Sequence, residues 1–247
     1  MKENFAYLKE VLGVRYFAIG ENIAPAKSDS DLFVANGLPP DEPINEIHKK
    51  RKSHSEHVLP VSNLNNLLSD LKDCGRCKLS EGRLNIVFGY GSPKAQLMFI
   101  GEGPGEEEDA QGEPFVGKAG QLLNKMISAM GLTREEVYIA NVVKCRPPEN
   151  RNPELDEVEA CSPYMHSQIS LIKPKIIVAL GAFAAQVLLG TNEKISQLRG
   201  RIFEIDGLRI IPTFHPAYLL HDPTQKKSVW QDLQLAMHEL GLNIPKH

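Results

Sequence analysis

Leu97-Met98-Phe99-Ile100-Gly101-Glu102-Gly103-Pro104-Gly105 is the stretch from which the fold is read. Four apolar residues without alternation mark a strand covered on both faces, and the glycines after them mark a tight loop at its carboxyl end. Such strands belong to parallel sheets flanked by helices, so strand and helix patterns should alternate on either side. Downstream they do. Lys118 to Met130 has helical periodicity and is closed by Gly131, and Thr133 with Glu136 has the spacing of a capping box. Val137 to Val143 reads as a second strand, and Pro153 opens a helix that runs to about Ile172. Ile176 to Leu180 is a third strand, followed at once by a helix over Ala182 to Leu189. Ile202–Ile205 and Leu208–Ile211 form a hairpin through Asp206-Gly207, with the second arm entering the central sheet. A last helix puts Trp230, Leu233, Met237 and Leu240 on one face.

Upstream, Asn65 to Lys72 reads as a helix. From Glu21 to Pro60 the pattern gives way to Pro, Ser, Asp and Asn around the basic run Lys49-Lys50-Arg51-Lys52. That is tether composition, with the basic run solvated or in contact with nucleic acid. Residues 1–18 read as a short amphipathic helix, with Phe5, Leu8 and Leu12 on one face. The organisation is therefore a helix over 1–18, a linker-like extension over 19–63, a main domain over 64–242 and a tail over 243–247.

Composition narrows the function classes. The chain has 247 residues, 42% hydrophobic and 24% charged, which excludes collagen, disordered tails and disulfide mini-proteins. No segment approaches the roughly 20 apolar residues of a membrane span, and the start Met1-Lys2-Glu3-Asn4 lacks a signal-peptide layout. A soluble cytoplasmic protein without a membrane partner is expected. The net charge of −3 argues against electrostatic packaging of nucleic acid, while a local basic face remains compatible with it.

Cysteine usage is more informative. Cys74 and Cys77 form a C-x2-C pair, 67 residues separate Cys77 from Cys145, and 15 separate Cys145 from Cys161. Disulfides are disfavoured in a reducing cytosol, so four thiols that include such a pair suggest a metal site. Zinc and an iron–sulfur cluster both accept four thiolates; the widely spread second pair leans toward iron–sulfur. Four unrelated buried cysteines are the bland alternative.

Ligands in doubly wound sheets bind beyond the carboxyl ends of the strands, which singles out the loops after Ile100, Asn141 and Pro212. The first, Gly101 to Asp109, is glycine-rich enough to cradle a phosphate, yet four acids follow and no lysine does. The second begins at Asn141, an amide inside an apolar strand that must pair its donor and its acceptor. The third, Thr213-Phe214-His215-Pro216-Ala217-Tyr218-Leu219-Leu220, puts a histidine at a strand end beside an exposed apolar run.

Together, Gly101 to Asp109, Pro114-Phe115-Val116-Gly117-Lys118-Ala119-Gly120, Asn141 to Pro148 and His215 to Leu220 resemble the family 4 uracil-DNA glycosylases. The resemblance runs from about Leu64 to Leu242, in order, with all four cysteines in place. It implies a three-layer α/β/α sandwich with a central four-stranded parallel sheet. It also implies a 4Fe–4S cluster on Cys74, Cys77, Cys145 and Cys161, and a chemistry without a divalent ion. The activity implied is excision of uracil from DNA by a monomeric, monofunctional enzyme that leaves an abasic site. Phe115 would stack on the flipped base and Asn141 would read it. Pro104 would line the same slot, and Glu108 would fill the space of a thymine methyl. His215 would donate to uracil O2, helped by backbone N–H groups near Glu102 and Gly103. Gly103 stands where family 1 enzymes place a water-activating Asp, which leaves Glu102 or backbone groups to orient water. Tyr218, Leu219 and Leu220 would contact DNA, the leucines filling the gap left by the base. His221 departs from the Arg that many members carry.

Other classes compete. An iron–sulfur electron carrier or redox sensor needs only the cysteines and leaves Phe115, Asn141 and His215 without a task. A DNA-binding module without turnover would keep the slot and lack the chemistry. A related family that bonds covalently to DNA uses a histidine after the second strand, and Arg146 to Arg151 contains none.

Overall fold

The computed structural model describes residues 17–18 and 58–244. Its elements are β1 (Phe17–Ala18), α1 (Leu64–Leu71), β2 (Tyr90–Gly91), β3 (Leu97–Gly101), α2 (Glu106–Gln111), α3 (Lys118–Ala129), β4 (Tyr138–Asn141) and α4 (Leu155–Ile172). They continue with β5 (Ile176–Leu180), α5 (Gly181–Leu189), α6 (Ile195–Leu198), β6 (Phe203–Ile205), β7 (Leu208–Thr213), α7 (Pro216–His221) and α8 (Lys226–Leu240). The strands form one sheet in the order β1-β6-β7-β5-β3-β4-β2. Its centre, β7-β5-β3-β4, is the expected set of four parallel strands. The additions are antiparallel and peripheral: β6 pairs with β7, β1 with β6, and β2 with β4. The expected four parallel strands thus form the centre of a seven-stranded sheet; β6 is the expected hairpin arm, whereas β1 and β2 carry too few residues to show a period.

Period-two side-chain alternation divides the core between the two faces. Met98 and Ile100 join Ile177, Ala179 and Ile210 under α4 and α5. Leu97 and Phe99 join Ile176, Val178 and Ile211 under α3 and α8. Helix α4 is buried on a second side as well, where Tyr164 packs on Leu67 and Leu71 of α1. That explains the polar residues Ser162, Ser167 and Gln168 within its buried surface.

The linker expectation over 19–63 needs adjustment at its end. Leu59 N–H donates to Ser167 Oγ at 2.8 Å, and Leu59 and Val61 pack against the α1–α4 contact. Asn63 caps α1 by accepting from Asn66 N. The end of the expected extension, from Leu59 to Asn63, thus packs on or caps α1 and α4. Of the helix expected over 1–18, Phe17 and Ala18 form a strand instead; its remainder, the extension over 19–57 and the last residues of the tail, 245–247, lie outside the described residues.

Two segments read as loops are helical. The acids after Gly105 form the first turn of α2, where carboxylates complement the positive end of the helix dipole. Pro216 is the first residue of α7 with His215 as its N-cap, the position in which proline is already set for a helix.

Candidate active site

A cleft of about 310 Å3 opens beyond the carboxyl ends of β3, β4 and β7. Glu102, Gly103, Pro104, Gly105 and Glu108 supply one wall, Phe115 and Ala119 another. Asn141 ends β4, Pro147, Asn150 and Arg151 come from the chain after it, and His215 and Ala217 from the start of α7. All seven residues expected to do catalysis or bind the base line this one cavity. Its volume lies at the low end of ligand pockets, about 300–1,000 Å3, the scale of a single ring system.

Close approach at the floor is made possible by Gly101. A Cβ there would stand 2.5 Å from Asn141 Oδ1 and 2.6 Å from Phe115 Cζ. Asn141 is 2% exposed, and its Oδ1 has no hydrogen-bond partner among protein atoms. A buried acceptor left unpaired is costly, so a ligand donor is the natural complement. The amide's backbone is fixed by Lys144, a fully buried lysine whose Nζ donates to Asn141 O and to Gln168 Oε1, each at 2.7 Å. Sequence reading passed over Lys144, which only the three-dimensional neighbourhood brings under Asn141.

Phe115 holds a positive φ of 54° and is 6% exposed. Its ring centroid lies 5.6 Å from the His215 imidazole, with 33° between the planes. A planar base sandwiched between two rings needs about 7 Å, twice a van der Waals contact. The base can therefore lie on Phe115 with His215 at its edge, not between the two. His215 Nδ1 accepts from Ala217 N at 3.1 Å, which leaves Nε2 to carry the proton of the neutral ring. Burial pulls the imidazole down to about 4, against an opposing pull from the Glu108 carboxylate, so the ring is a neutral donor at pH 7.

Burial pushes the Glu102 carboxyl up to about 7. Glu108 is fully engaged: Oε1 accepts from Val116 N at 2.9 Å and Gly117 N at 3.0 Å, and Oε2 from Gly105 N at 3.1 Å. Three backbone donors pin its carboxylate between the glycine loop and the Phe115 loop.

The three DNA-contact candidates separate. Tyr218 and Leu220 are 44% and 45% exposed, whereas Leu219 is 1% exposed and packs with α3 and α8. A leucine committed to the core cannot enter a duplex, so the expected leucine pair reduces to Leu220. The helix beginning at Pro216 is the reason, since a helical turn points neighbouring residues in different directions. Behind this helix, Asp232 accepts from Thr213 Oγ1 at 2.7 Å and from both Nε and Nη2 of Arg199, at 3.0 and 2.8 Å. That network anchors the end of β7 just before His215. Neither Arg199 nor Asp232 carries a local sequence signal.

Among the described residues no group of three or more His, Cys, Asp or Glu could hold a metal ion, yet the four cysteine thiols feel one another's charge. Burial raises the thiols of Cys77, Cys145 and Cys161, and each is raised further by others of the set: Cys77 by Cys74, Cys145 by Cys77 and Cys74, Cys161 by Cys145 and Cys77. Two N–H groups donate to sulfur, Arg83 Nη1 to Cys145 at 3.5 Å and Lys144 N to Cys161 at 3.3 Å.

A strand-end cleft in an α/β protein that combines a flat aromatic, an unpaired amide acceptor and a neutral imidazole has the shape and donor set that a nucleobase-processing enzyme requires. Comparison with known proteins agrees: residues 88–234 match the Uracil DNA glycosylase superfamily. The type-4 uracil-DNA glycosylase of Sulfurisphaera tokodaii is 44% identical over 196 residues, covering 76% of this chain and 89% of that protein. That of Saccharolobus solfataricus is 45% identical over 190 residues (73% and 88%), and that of Thermotoga maritima 45% over 170 residues (67% and 88%). The chain belongs to the uracil DNA glycosylase superfamily.

Proposed function

We propose that this enzyme, a uracil-DNA glycosylase acting in DNA repair, takes a flipped uracil into the cleft between β3, β4 and β7 and reads it with Asn141. The buried, unpaired Asn141 Oδ1 beside Phe115 is the observation that carries this reading. Stacking on Phe115 contributes on the order of 1–3 kcal/mol and holds the ring plane. The Asn141 amide accepts from N3–H and donates to O4, a pattern that cytosine reverses. Glu108 stays where a thymine methyl would go, because three N–H bonds keep it from swinging aside.

As the N-glycosidic bond breaks, its electron pair passes to uracil and negative charge grows on O2. His215 meets it with Nε2–H as a neutral donor, and backbone N–H groups near Glu102 and Gly103 add to the field. Water then adds to the sugar carbon and gives up its proton. Gly103 has no side chain to receive it, and Glu102, whose carboxyl sits near 7, is the group available. Leu220 enters the gap in the stack, with Tyr218 beside it on the same exposed edge.

Cys74, Cys77, Cys145 and Cys161 are assigned to a 4Fe–4S cluster. The donor set fits, with four thiols from two distant parts of the chain close enough to feel one another's charge and N–H groups on two of the sulfurs, a pattern that steadies thiolate charge. Held by these residues, a cluster would tie the segment before β2, through Cys74 and Cys77, to Cys145 in the loop after β4 and to Cys161 in α4. We place the protein in the cytoplasm as a monomer acting on uracil-containing DNA; no helix among the described residues is long and apolar enough to cross a membrane.

Asn141→Asp tests the reading. A carboxylate presents only acceptors and repels O4, at about 1–3 kcal/mol or more, so single-turnover excision of uracil should fall roughly tenfold to a hundredfold. Discrimination against cytosine should shrink with it. Unchanged uracil excision by a folded variant would reduce Asn141 to a structural amide and move base reading elsewhere.

A further inference from the structure

One cation beside the cleft has no part in the chemistry described above. Arg134 lies between α3 and β4, yet its guanidinium reaches the loop that carries Phe115. Nη2 donates to Pro114 O, and Nη1 donates to Phe115 O at 3.3 Å. The same Nη1 donates to Asn124 Oδ1 of α3 at 3.1 Å, and the guanidinium stacks over the Tyr90 ring of β2 at 4.9 Å. Arg134 is thus fastened to a helix and an edge strand while it grips two successive carbonyls.

Those carbonyls flank a strained residue of the slot. Phe115 is a bulky side chain in the left-handed region, a conformation that persists only when its surroundings over-determine it. Part of the determination comes from α3, where a Cβ on Gly120 would stand 1.8 Å from Phe115 O. That close approach admits the carbonyl without fixing its direction. A planar fork that presents parallel donors can fix both carbonyls at once, and an ammonium on a mobile stem cannot.

We propose that Arg134 is the positioning residue of the base slot: by clamping the Pro114 and Phe115 carbonyls it sets the Phe115 ring at the angle on which uracil stacks. The inference rests on the slot reading given above. It assigns no contact with substrate to Arg134, so its removal should slow the chemical step and spare binding of DNA outside the slot.

The test compares Arg134→Ala and Arg134→Lys, each alone and with Phe115→Ala, by single-turnover excision at saturating uracil DNA. Affinity for abasic-site DNA and inhibition by free uracil are read beside it. The clamp predicts that Arg134→Ala lowers the rate about tenfold or more and weakens uracil inhibition to a similar degree, while abasic-DNA affinity changes less than about twofold. Arg134→Lys should fall between the two, and it carries the test if the alanine variant does not fold. In the Phe115→Ala background either Arg134 change should cost less than about twofold, because residues acting through one another are not additive. Independent, multiplying losses would overturn the proposal, as would a parallel loss of abasic-DNA affinity. A Phe115→Ala enzyme at full rate would overturn the slot reading itself, and this inference with it.

Discussion

Gly101→Ala puts the geometry of the slot under direct strain. The added methyl carbon would stand 2.5 Å from Asn141 Oδ1, 2.6 Å from Phe115 Cζ and 2.9 Å from Phe115 Cε2. Ordinary carbon contacts begin at about 3.5 Å, so the overlap is on the order of 1 Å with two separate side chains. Nothing in the backbone opposes alanine, since β3 runs extended through this position. Both neighbours are buried, and the open space available to them is the slot. Overpacking of this kind costs about 1–3 kcal/mol. If the slot bears it, kcat/KM on uracil DNA falls about 5- to 150-fold, at 1.36 kcal/mol per tenfold. The melting temperature should drop by about 2–4 °C per kcal/mol for a domain of this size. Single-turnover excision with a thermal melt on the same preparation reads both. Gly82→Ala is the control, because a Cβ there meets nothing within 4 Å, and it should keep the parent rate and melting point. A Gly101→Ala enzyme with a parent-like excision rate would show that uracil does not need Phe115 and Asn141 where this structure puts them.

The pH dependence follows from two groups. Activity should rise as pH passes about 7 and Glu102 ionises, and Glu102→Gln should lower the plateau and remove that limb. In stability the two groups act in opposite directions. His215, lowered from 6.5 to about 4, leaves the unfolded chain binding the extra proton, so stability is lost as pH falls from 6.5 toward 4. Glu102, raised from 4.5 to about 7, keeps a proton that the unfolded chain releases, so stability is lost as pH climbs from 4.5 toward 7; melting curves of Glu102→Gln should lack this loss. For the cysteines, the purified protein should be brown, with iron and sulfide at four each per chain if the 4Fe–4S assignment holds. Cys161→Ala should then lose colour and several kcal/mol of stability, since two distant segments come untied, whereas colourless protein with bound zinc would refute the cluster.

The parallel centre of the fold was legible because strands buried on both faces must be uniformly apolar, as Leu97–Ile100 and Ile176–Leu180 are. The edges were legible only in part: the hairpin arm Phe203–Ile205 was announced by Asp206-Gly207, whereas Tyr90–Gly91 is too short for periodicity to speak and pairs with β4 far along the chain. In the site, glycine spacing and the lone amide of β4 pointed to loops that the structure brings to one cleft. Burial is what sequence left open. It separates Leu219 from Leu220, one residue apart and alike in type, because the turn of α7 faces one to the core and the other to solvent. Arg134, Lys144 and the Arg199–Asp232 pair were invisible for another reason. Arg134 and Arg199 reach partners 19 and 33 residues away, and Lys144 reaches back three residues to Asn141 but is held there by Gln168, 24 residues on; no local pattern records those partners. Proline at the start of α7 and acids at the start of α2 were readable helix signals that the loop reading overrode.

The central claim, that this cleft removes uracil from DNA, is tested most directly by incubating the full chain with a single-uracil oligonucleotide and then treating the strand with alkali. A break is expected at the uracil position and none when thymine or cytosine stands there, forming roughly tenfold to a hundredfold more slowly in Asn141→Asp and more slowly in His215→Ala. A uracil strand that stays intact with folded protein would contradict it, and so would cleavage that both variants retain in full.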